Sequence, residues 1–180
     1  ISGVTYLPDG SGTSYSTSIV VDCYGSGQTV TSIADIGNIC MSLEHSFLDD
    51  LDLVIKCPNG QQISLKDDVG GGGTYLGNPI DDVTSGPGTG FNYCFAMSGT
   101  ALMINGPTVM SGTPSQVSIA AGTYSPAASF AGLIGCPLNG AWTVVVTDHA
   151  TLDDGYIFNW DVNFTAAIPP AQSFTPTIVS

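Results

Sequence analysis

The sequence contains very few basic residues. Lysine and arginine together number 2, against 15 aspartate and glutamate residues, so the formal net charge at pH 7 is -13. Affinity for nucleic acids comes mainly from basic side chains that neutralise phosphates, and we therefore expect no nucleic-acid partner. An anionic membrane would repel the chain for the same reason. The acidity instead favours cations, basic partners or simply solubility in a salty environment.

Helical and membrane-spanning patterns are also missing from the sequence. No stretch shows a long amphipathic helical period, and no apolar run is long enough to span a bilayer, so we expect no membrane insertion. The sequence begins with Ile1, and its first residues do not show a signal-peptide pattern. We interpret it as a mature or excised piece of a larger secreted chain, with an extracellular or cell-surface location.

The five cysteines are widely spaced, with no C-x-x-C pair of the kind that zinc-ribbon or thioredoxin-like sites require. Such spacing is typical of an extracellular disulfide framework. The odd number leaves at least one thiol free or paired with another chain, and the spacing does not fix which cysteines are bonded. Cys57 and Cys136 begin similar C-P turns, which suggests matched strand ends. The five residues are Cys23, Cys40, Cys57, Cys94 and Cys136.

What the sequence does contain indicates β structure. It has 23 glycines and 11 prolines, and its apolar runs are rich in Val, Ile, Thr, Tyr and Phe, which suit strands. Residues 39–47 and 51–57 alternate apolar and polar side chains, and Asn59 with Gly60 then indicates a hairpin turn. A first strand is expected near residues 17–23. Further strands are expected at FNYCFAM, VSIAA, AWTVVVTD and YIFNWDVNF.

We predict an all-β fold, a jelly-roll-like β-sandwich of about eight or more antiparallel strands in residues 1–165. A Pro-containing extended tail or linker is expected to follow in residues 166–180. Residues 67–90 lack periodicity, and so long a loop is typical of a functional or mobile segment. In the last strand, the alternation predicts that one face carries Tyr156, Phe158, Trp160, Val162 and Phe164.

Motifs of common hydrolases are absent from the sequence. There is no G-x-S-x-G nucleophile turn and no H-E-x-x-H zinc helix, and the glycines at 70–73 are not followed by the G-K-[ST] of a phosphate-binding loop. His45 falls on the apolar face of its strand, where a buried histidine commonly donates to a carboxylate or carbonyl for structural reasons. We therefore expect that the chain is not an enzyme.

Two blocks of the sequence resemble a known family. HSFLDDLDLVIKCPNG at 45–60 and NGAWTVVVTDHATLDDGYIFNWDVNF at 139–164 are similar to the signature blocks of P-domains (P/Homo B domains). These domains accompany proprotein convertases, and similar modules occur in large secreted and surface proteins of Bacteroidetes. Asp49 stands where the family usually has Gly. The matching positions are His45, Asp50, Leu51, Gly140, Trp142, Asp148, Asp153, Gly155 and Trp160.

The resemblance implies a jelly-roll sandwich that commonly binds calcium. In the family arrangement, the DDLD segment and the TDHATLDDG loop both lie near loop ends, and Ca2+ takes about six to eight oxygen ligands from such loops. The alternative is that these aspartates cap strand ends and accept hydrogen bonds from loop amides. We interpret the pairs Asp67–Asp68 and Asp81–Asp82 as ordinary loop residues. The predicted Ca2+ ligands are Asp49, Asp50, Asp52, Asp148, Asp153 and Asp154.

The expected function is that of a non-catalytic extracellular structural or adhesion module, stabilised by calcium, within a larger secreted, surface or filamentous protein. Its expected partners are neighbouring domains or copies of itself, or a glycan or protein surface. The apolar pattern FTPTIVS in the tail could add a strand to a neighbouring copy. The alternative is an accessory domain that stabilises or targets a secreted protease or a glycan-active enzyme.

Overall fold

The computed structural model describes residues 2–7, 9–10, 12–70, 72–80, 86–112 and 115–165. Within them the backbone forms twelve strands and three short 3-10 helices. The strands are β1 (Ser2–Leu7), β2 (Thr13–Val21), β3 (Ile36–His45), β4 (Leu51–Lys56), β5 (Gln62–Lys66), β6 (Tyr75–Leu76), β7 (Phe91–Phe95), β8 (Thr108–Ser111), β9 (Gln116–Ile119), β10 (Gly122–Tyr124), β11 (Gly140–Asp148) and β12 (Gly155–Phe164). The 3-10 helices are Ile33–Asp35, Met103–Asn105 and Phe130–Leu133.

The strands are arranged in an eight-stranded and a four-stranded sheet. The larger sheet has the order β1-β12-β3-β6-β9-β8, with β7 paired to both β3 and β10, and the smaller sheet has the order β2-β11-β4-β5. The prediction of an all-β sandwich is confirmed. Most neighbouring strands are antiparallel as predicted, but β6 with β9 and β7 with β10 are parallel. Among the described residues, no helix has the length and apolar character needed to cross a membrane.

One apolar cluster joins the two sheets. Trp142 on β11 and Trp160 on β12 are almost fully buried, as are Tyr93 and Phe95 on β7. Strand β4 alternates as predicted, because successive side chains of a strand point to opposite faces. Its buried residues, together with the cysteine that follows it, are Leu51, Leu53, Ile55 and Cys57.

The face predicted for β12 is wrong in its first half. The register between β12 and β3 shifts at Phe158, which marks a β-bulge. The extra residue reverses the alternation, so that Ile157 is buried before the bulge and Trp160 after it. Tyr156 and Phe158 are half-buried and do not share the buried face of Trp160. Tyr156 instead packs edge-on against Tyr6 of β1, with 5.2 Å between the ring centroids.

The N-terminal segment forms two strands where the sequence predicted one near residues 17–23. The pairing partners explain this difference, since β1 adds to the edge of β12 and β2 pairs with β11 along its whole length. A Gly/Ser-rich segment can therefore form a strand because a long neighbouring strand offers it hydrogen bonds. The hairpin predicted at Asn59 and Gly60 is confirmed by the antiparallel pairing of β4 with β5.

Four of the five cysteines form two disulfides. Cys40 and Cys94 lie directly opposite each other on β3 and β7. Cys57 and Cys136 connect the end of β4 to the turn before β11, so the two similar C-P turns are bonded to each other. Cys23 is unpaired and exposed. Two disulfides are typical of an oxidising, extracellular-type environment.

Some sequence predictions fall outside the described residues. These include the tail at 166–180 and the pair Asp81–Asp82. Within the long segment 67–90, the described part contributes β6 and an isolated bridge between Asn78 and Thr89. The segment therefore has some pairing of its own despite its lack of periodicity.

Candidate metal centre

The two acidic segments meet at one end of the smaller sheet. Asp148, the last residue of β11, lies opposite Leu51, the first residue of β4. The loop that follows β11 is held to the segment before β4, because the amide of His149 donates to the carbonyl of Asp50 over 2.9 Å. The DDLD and TDHATLDDG segments therefore lie side by side at this end.

A second set of backbone contacts ties the start of β12 to the end of β3. The amide of Ser46 donates to the carbonyl of Asp154 over 2.9 Å, and the amide of Asp154 donates to the Ser46 hydroxyl over 2.9 Å. Gly155 allows this close approach, since a Cβ there would lie 2.5 Å from both the Glu44 carbonyl oxygen and His45 Cδ2. The acidic end is therefore built from both sheets.

His45 and Asp148 form a buried pair beneath this surface. Their exposed fractions are 0% and 2%, and His45 Nε2 lies 3.4 Å from Asp148 Oδ2. The other imidazole nitrogen, Nδ1, lies 2.9 Å from the carbonyl oxygen of Phe47. Asp148 Oδ1 accepts a hydrogen bond from the amide of Ala150 over 2.9 Å. These contacts fit the interpretation of His45 as a structural residue.

Three carboxylate oxygens at this end are inaccessible to solvent and accept no hydrogen bond. They are Asp49 Oδ1, Asp50 Oδ2 and Asp148 Oδ2. Burial of an ionised carboxylate is costly unless donors or a counter-ion compensate for lost water. All three residues belong to the predicted Ca2+ ligand set. The strand-end alternative accounts for Asp148 Oδ1, which accepts from a loop amide, and His45 Nε2 faces Asp148 Oδ2 at 3.4 Å. Neither contact accounts for Asp49 Oδ1 or Asp50 Oδ2.

The electrostatics of Asp50 show how close the carboxylates are. The pKa of Asp50 is raised to about 6, mainly by burial and in addition by the nearby charges of Asp153, Asp148 and Asp49, while His45 acts to lower it. The charges of these three carboxylates therefore disfavour ionisation of Asp50. A divalent cation between them would reverse this effect, because it stabilises the ionised forms.

The remaining two predicted ligands are placed differently. Asp154 is 2% exposed, and its carboxylate contributes to a raised pKa of Glu44 on β3. Asp52 lies on the outer side of β4, opposite Thr147. Its Oδ2 is 2.9 Å from His149 Nε2, and its Oδ1 accepts a hydrogen bond from the amide of Asp68 over 2.7 Å. Asp52 thus belongs to a second cluster on the outer face.

Sequence reasoning missed four polar residues around these clusters. Asp68 and His149 join Asp52 in a group whose ligand atoms all lie within 4.8 Å of one another. Glu44 is 1% exposed and Lys66 is 2% exposed. Lys66 Nζ donates to the carbonyls of Leu51 and Asp67. In the sequence, His149 could have been identified because it directly follows the predicted ligand Asp148. Glu44 and Lys66 could have been identified because they are charged residues within largely apolar strands.

Burial shifts the pKa values of both missed core residues. It raises the pKa of Glu44 to about 8, against a lowering effect of the Gly88 amide. It lowers the pKa of Lys66 to about 8, although the surrounding carboxylates, Asp52 first among them, act in the opposite direction. The acidic end therefore holds one buried ammonium group beneath several carboxylates.

Comparisons with known proteins do not place the chain in a family. No family model, no curated protein and no solved structure gives a significant match to it.

Proposed function

We propose that this chain is a non-catalytic extracellular module of a larger secreted or surface protein, stabilised by Ca2+ at its acidic end. The observation that carries the proposal is the group of buried carboxylate oxygens of Asp49, Asp50 and Asp148 that accept no hydrogen bond. A buried carboxylate oxygen without a hydrogen-bond donor is suited to ligate a cation, because the cation compensates for the lost hydration. The resemblance to P-domains supports the same proposal from the sequence side.

The donor set suits calcium in particular. Ca2+ is a hard cation that takes oxygen ligands in flexible geometry. The proposed ligands are the four carboxylates of Asp49, Asp50, Asp148 and Asp153. Bound calcium would neutralise their mutual repulsion. The protein supplies the arrangement, because backbone hydrogen bonds and strand pairing hold both loops in place.

The non-catalytic, extracellular part of the proposal has separate support. The ring of His45 is fully buried and its Nδ1 contacts the backbone of Phe47, so this ring is occupied by internal contacts. The two disulfides suit a secreted or surface location. A structural module requires a stable fold and a surface to which neighbouring domains or copies attach.

Self-association or docking of a neighbouring domain is supported by the edge of the smaller sheet. Strand β2 lies at this edge in the described part of the chain. It has nine residues with no charge and no proline, and it pairs with β11 without a bulge. Natural edge strands usually carry charged residues, prolines or bulges that prevent pairing with other chains, and β2 has none of these. The free edge of β2 is therefore suited to accept a strand of another copy.

Thermal melting with and without calcium tests the calcium proposal. A ligand at a hundred times its dissociation constant stabilises the folded state by about 2.7 kcal/mol, which for a chain of this size corresponds to a rise in Tm of roughly 5–10 °C. We expect this rise in calcium relative to chelator, and a much smaller one in equal magnesium, which demands stricter octahedral geometry.

Matched variants locate the effect. Asp50→Asn and Asp148→Asn should abolish the calcium-dependent rise in Tm, while Asp22→Asn, at an exposed position after β2, should keep it. Equal Tm values in calcium and chelator for the wild-type chain would refute the calcium site. The aspartates would then be assigned to local hydrogen bonding alone.

A further inference from the structure

A cluster of one histidine and two aspartates lies on the outer face of the acidic end, apart from the buried carboxylates. His149 Nε2 is 2.9 Å from Asp52 Oδ2, and His149 Nδ1 is 3.8 Å from Asp68 Oδ2. One ligand atom from each residue can be chosen so that all three lie within 4.8 Å of one another. Among the described residues, this group alone has such close ligand atoms.

The backbone fixes all three residues. His149 is held by the bond from its amide to the Asp50 carbonyl. Asp52 is placed by the pairing of β4 with β11, where it lies opposite Thr147. The amide of Asp68 donates to Asp52 Oδ1 over 2.7 Å. Backbone contacts thus hold the attachment points of His149 and Asp52, and the Asp52 carboxylate in turn holds the backbone of Asp68.

The site is open to solvent. The side chains of His149, Asp52 and Asp68 are 36%, 29% and 43% exposed. The three side chains would bind an ion from the protein side, and a water molecule would occupy the fourth coordination position, which faces solvent. This exposure also means that substitutions at His149 and Asp68 need not disturb the core.

The chemistry of the three ligands differs from that of the buried carboxylates. Imidazole with carboxylates suits Zn2+ and related first-row transition metals, whereas calcium prefers oxygen ligands alone. Ligands at about 2.0–2.2 Å from a tetrahedral Zn2+ lie roughly 3.3–3.5 Å apart. One ligand atom from each residue lies within 4.8 Å of the other two, so side-chain shifts of about 1–1.5 Å would bring the three atoms to this spacing.

We propose that Asp52, Asp68 and His149 form a surface site for a borderline divalent transition metal, with Zn2+ as the representative ion. This site is distinct from the proposed calcium site and does not depend on it. Three side chains are its ligands, and water completes the coordination.

The local charge favours a cation here despite one opposing group. The ammonium of Lys66 lies close enough for Asp52, Asp49, Asp68 and Asp67 to affect its pKa. Its Nζ, however, donates to the carbonyls of Leu51 and Asp67. Four carboxylates thus surround one ammonium, and the balance remains negative.

Calorimetric titration of the chain with Zn2+ at neutral pH tests the proposal. Saturating calcium is added first to occupy any site at the buried carboxylates, and the chain carries Cys23→Ser and no histidine tag, since an exposed thiol or a tag would bind zinc itself. We expect one equivalent of Zn2+ to bind. His149→Ala and Asp68→Asn should each weaken the affinity about tenfold or more.

Two controls make the result specific. Asp50→Asn should keep Zn2+ binding, since it alters only the proposed calcium site, and Asp22→Asn should also keep it.

Acidification should weaken binding, because protons compete with the metal for the imidazole nitrogen. Co2+ absorption in the visible range provides a spectroscopic check of coordination by His149.

Three outcomes would overturn the proposal. These are absence of a Zn2+ isotherm in the parent chain, equal affinity in a folded His149→Ala variant, or loss of binding in Asp50→Asn alone. The first two would mean that His149 forms only ion pairs with Asp52 and Asp68. The third would assign the zinc to the buried carboxylates. Loss of the calcium effect on Tm with retained Zn2+ binding would refute only the calcium site.

Discussion

Glu44 shows how a single buried carboxyl group can link stability to pH. It lies on β3 with 1% exposure, and the amide of Gly88 is 3.5 Å from its Oε1. Its pKa is raised from 4.5 to about 8, mainly by burial and to a smaller extent by the charge of Asp154. Between these two pH values the folded protein keeps a proton that the unfolded chain has lost. The free energy of unfolding therefore falls as pH increases across this range.

We predict that Glu44→Gln removes this pH dependence. The wild-type free energy of unfolding should decline from pH 4.5 to about 8, and the variant, which cannot ionise at this position, should lose most of that slope. Above pH 8 the variant should be at least as stable as wild type. Denaturant unfolding at a series of pH values, with chelator present, measures both curves.

The control for this comparison is Asp22→Asn, which removes one exposed carboxylate. It should leave the wild-type slope nearly unchanged. Asp50 contributes a slope of the same sign, but between pH 3.8 and about 6, so the range from pH 6 to 8 isolates Glu44. Parallel wild-type and Glu44→Gln curves in that range would contradict the prediction.

The sequence could identify most of the acidic residues at the candidate site but not their surroundings. The types and spacing of Asp49, Asp50 and Asp148 suggested oxygen ligands. Alternation along β3 placed Glu44 on the outer face, and it is nevertheless buried, with Gly77 and the amide of Gly88 lying against it. Coverage by a distant segment leaves no periodic signal in the strand itself.

At the scale of secondary structure, strand prediction worked where one face is buried along the whole element. Strand β4 alternates without interruption, and its inward residues were predicted correctly. Strand β12 contains a bulge, which a period of two cannot reveal because one extra residue reverses the faces beyond it. Strand β1 depends on its pairing with β12 and carried little signal of its own.

The two disulfides differ in burial, and this difference predicts the order in which they are reduced. Cys57 and Cys136 are 2% and 0% exposed, whereas Cys40 and Cys94 are half-buried on adjacent strands. Thiol–disulfide exchange requires access of a thiolate to a sulfur atom. A mild thiol reductant acting on the folded protein should therefore open Cys40–Cys94 first.

Pulse alkylation followed by peptide mass spectrometry measures this order. Exposed Cys23 should be labelled without reductant, which provides an internal reference. In concentrated denaturant the difference in rate between the two disulfides should largely disappear, because both become accessible. Faster native-state opening of Cys57–Cys136 would show that burial does not control their reduction.

For the molecule as a whole, fold class could be predicted from the sequence, but strand order could not. Alternation and turn residues indicate strands, yet they carry no information on which strands become neighbours. The parallel pairing of β6 with β9 and β7 with β10 is an example. Likewise, the net charge of -13 was evident from composition, whereas the uncharged edge at β2 became evident only from the sheet order.

Net charge and the free edge of β2 have opposite effects on self-association. Copies that each carry a charge of -13 repel one another at low ionic strength, and salt screens this repulsion. The uncharged β2 edge offers a surface where two copies can pair strands. We predict that association is negligible in low salt and increases with sodium chloride, as measured by sedimentation velocity in chelator.

A pair of lysine substitutions separates the edge from the overall charge. Ser16→Lys places a lysine on the exposed face of β2, while Asn159→Lys places the same charge at an exposed position on β12, which has neighbours on both sides. Both reduce the net charge equally, so screening alone would affect them alike. Because an edge lysine opposes strand pairing, only Ser16→Lys should suppress the association seen at high salt. Equal association of the two variants would assign the contact to another surface.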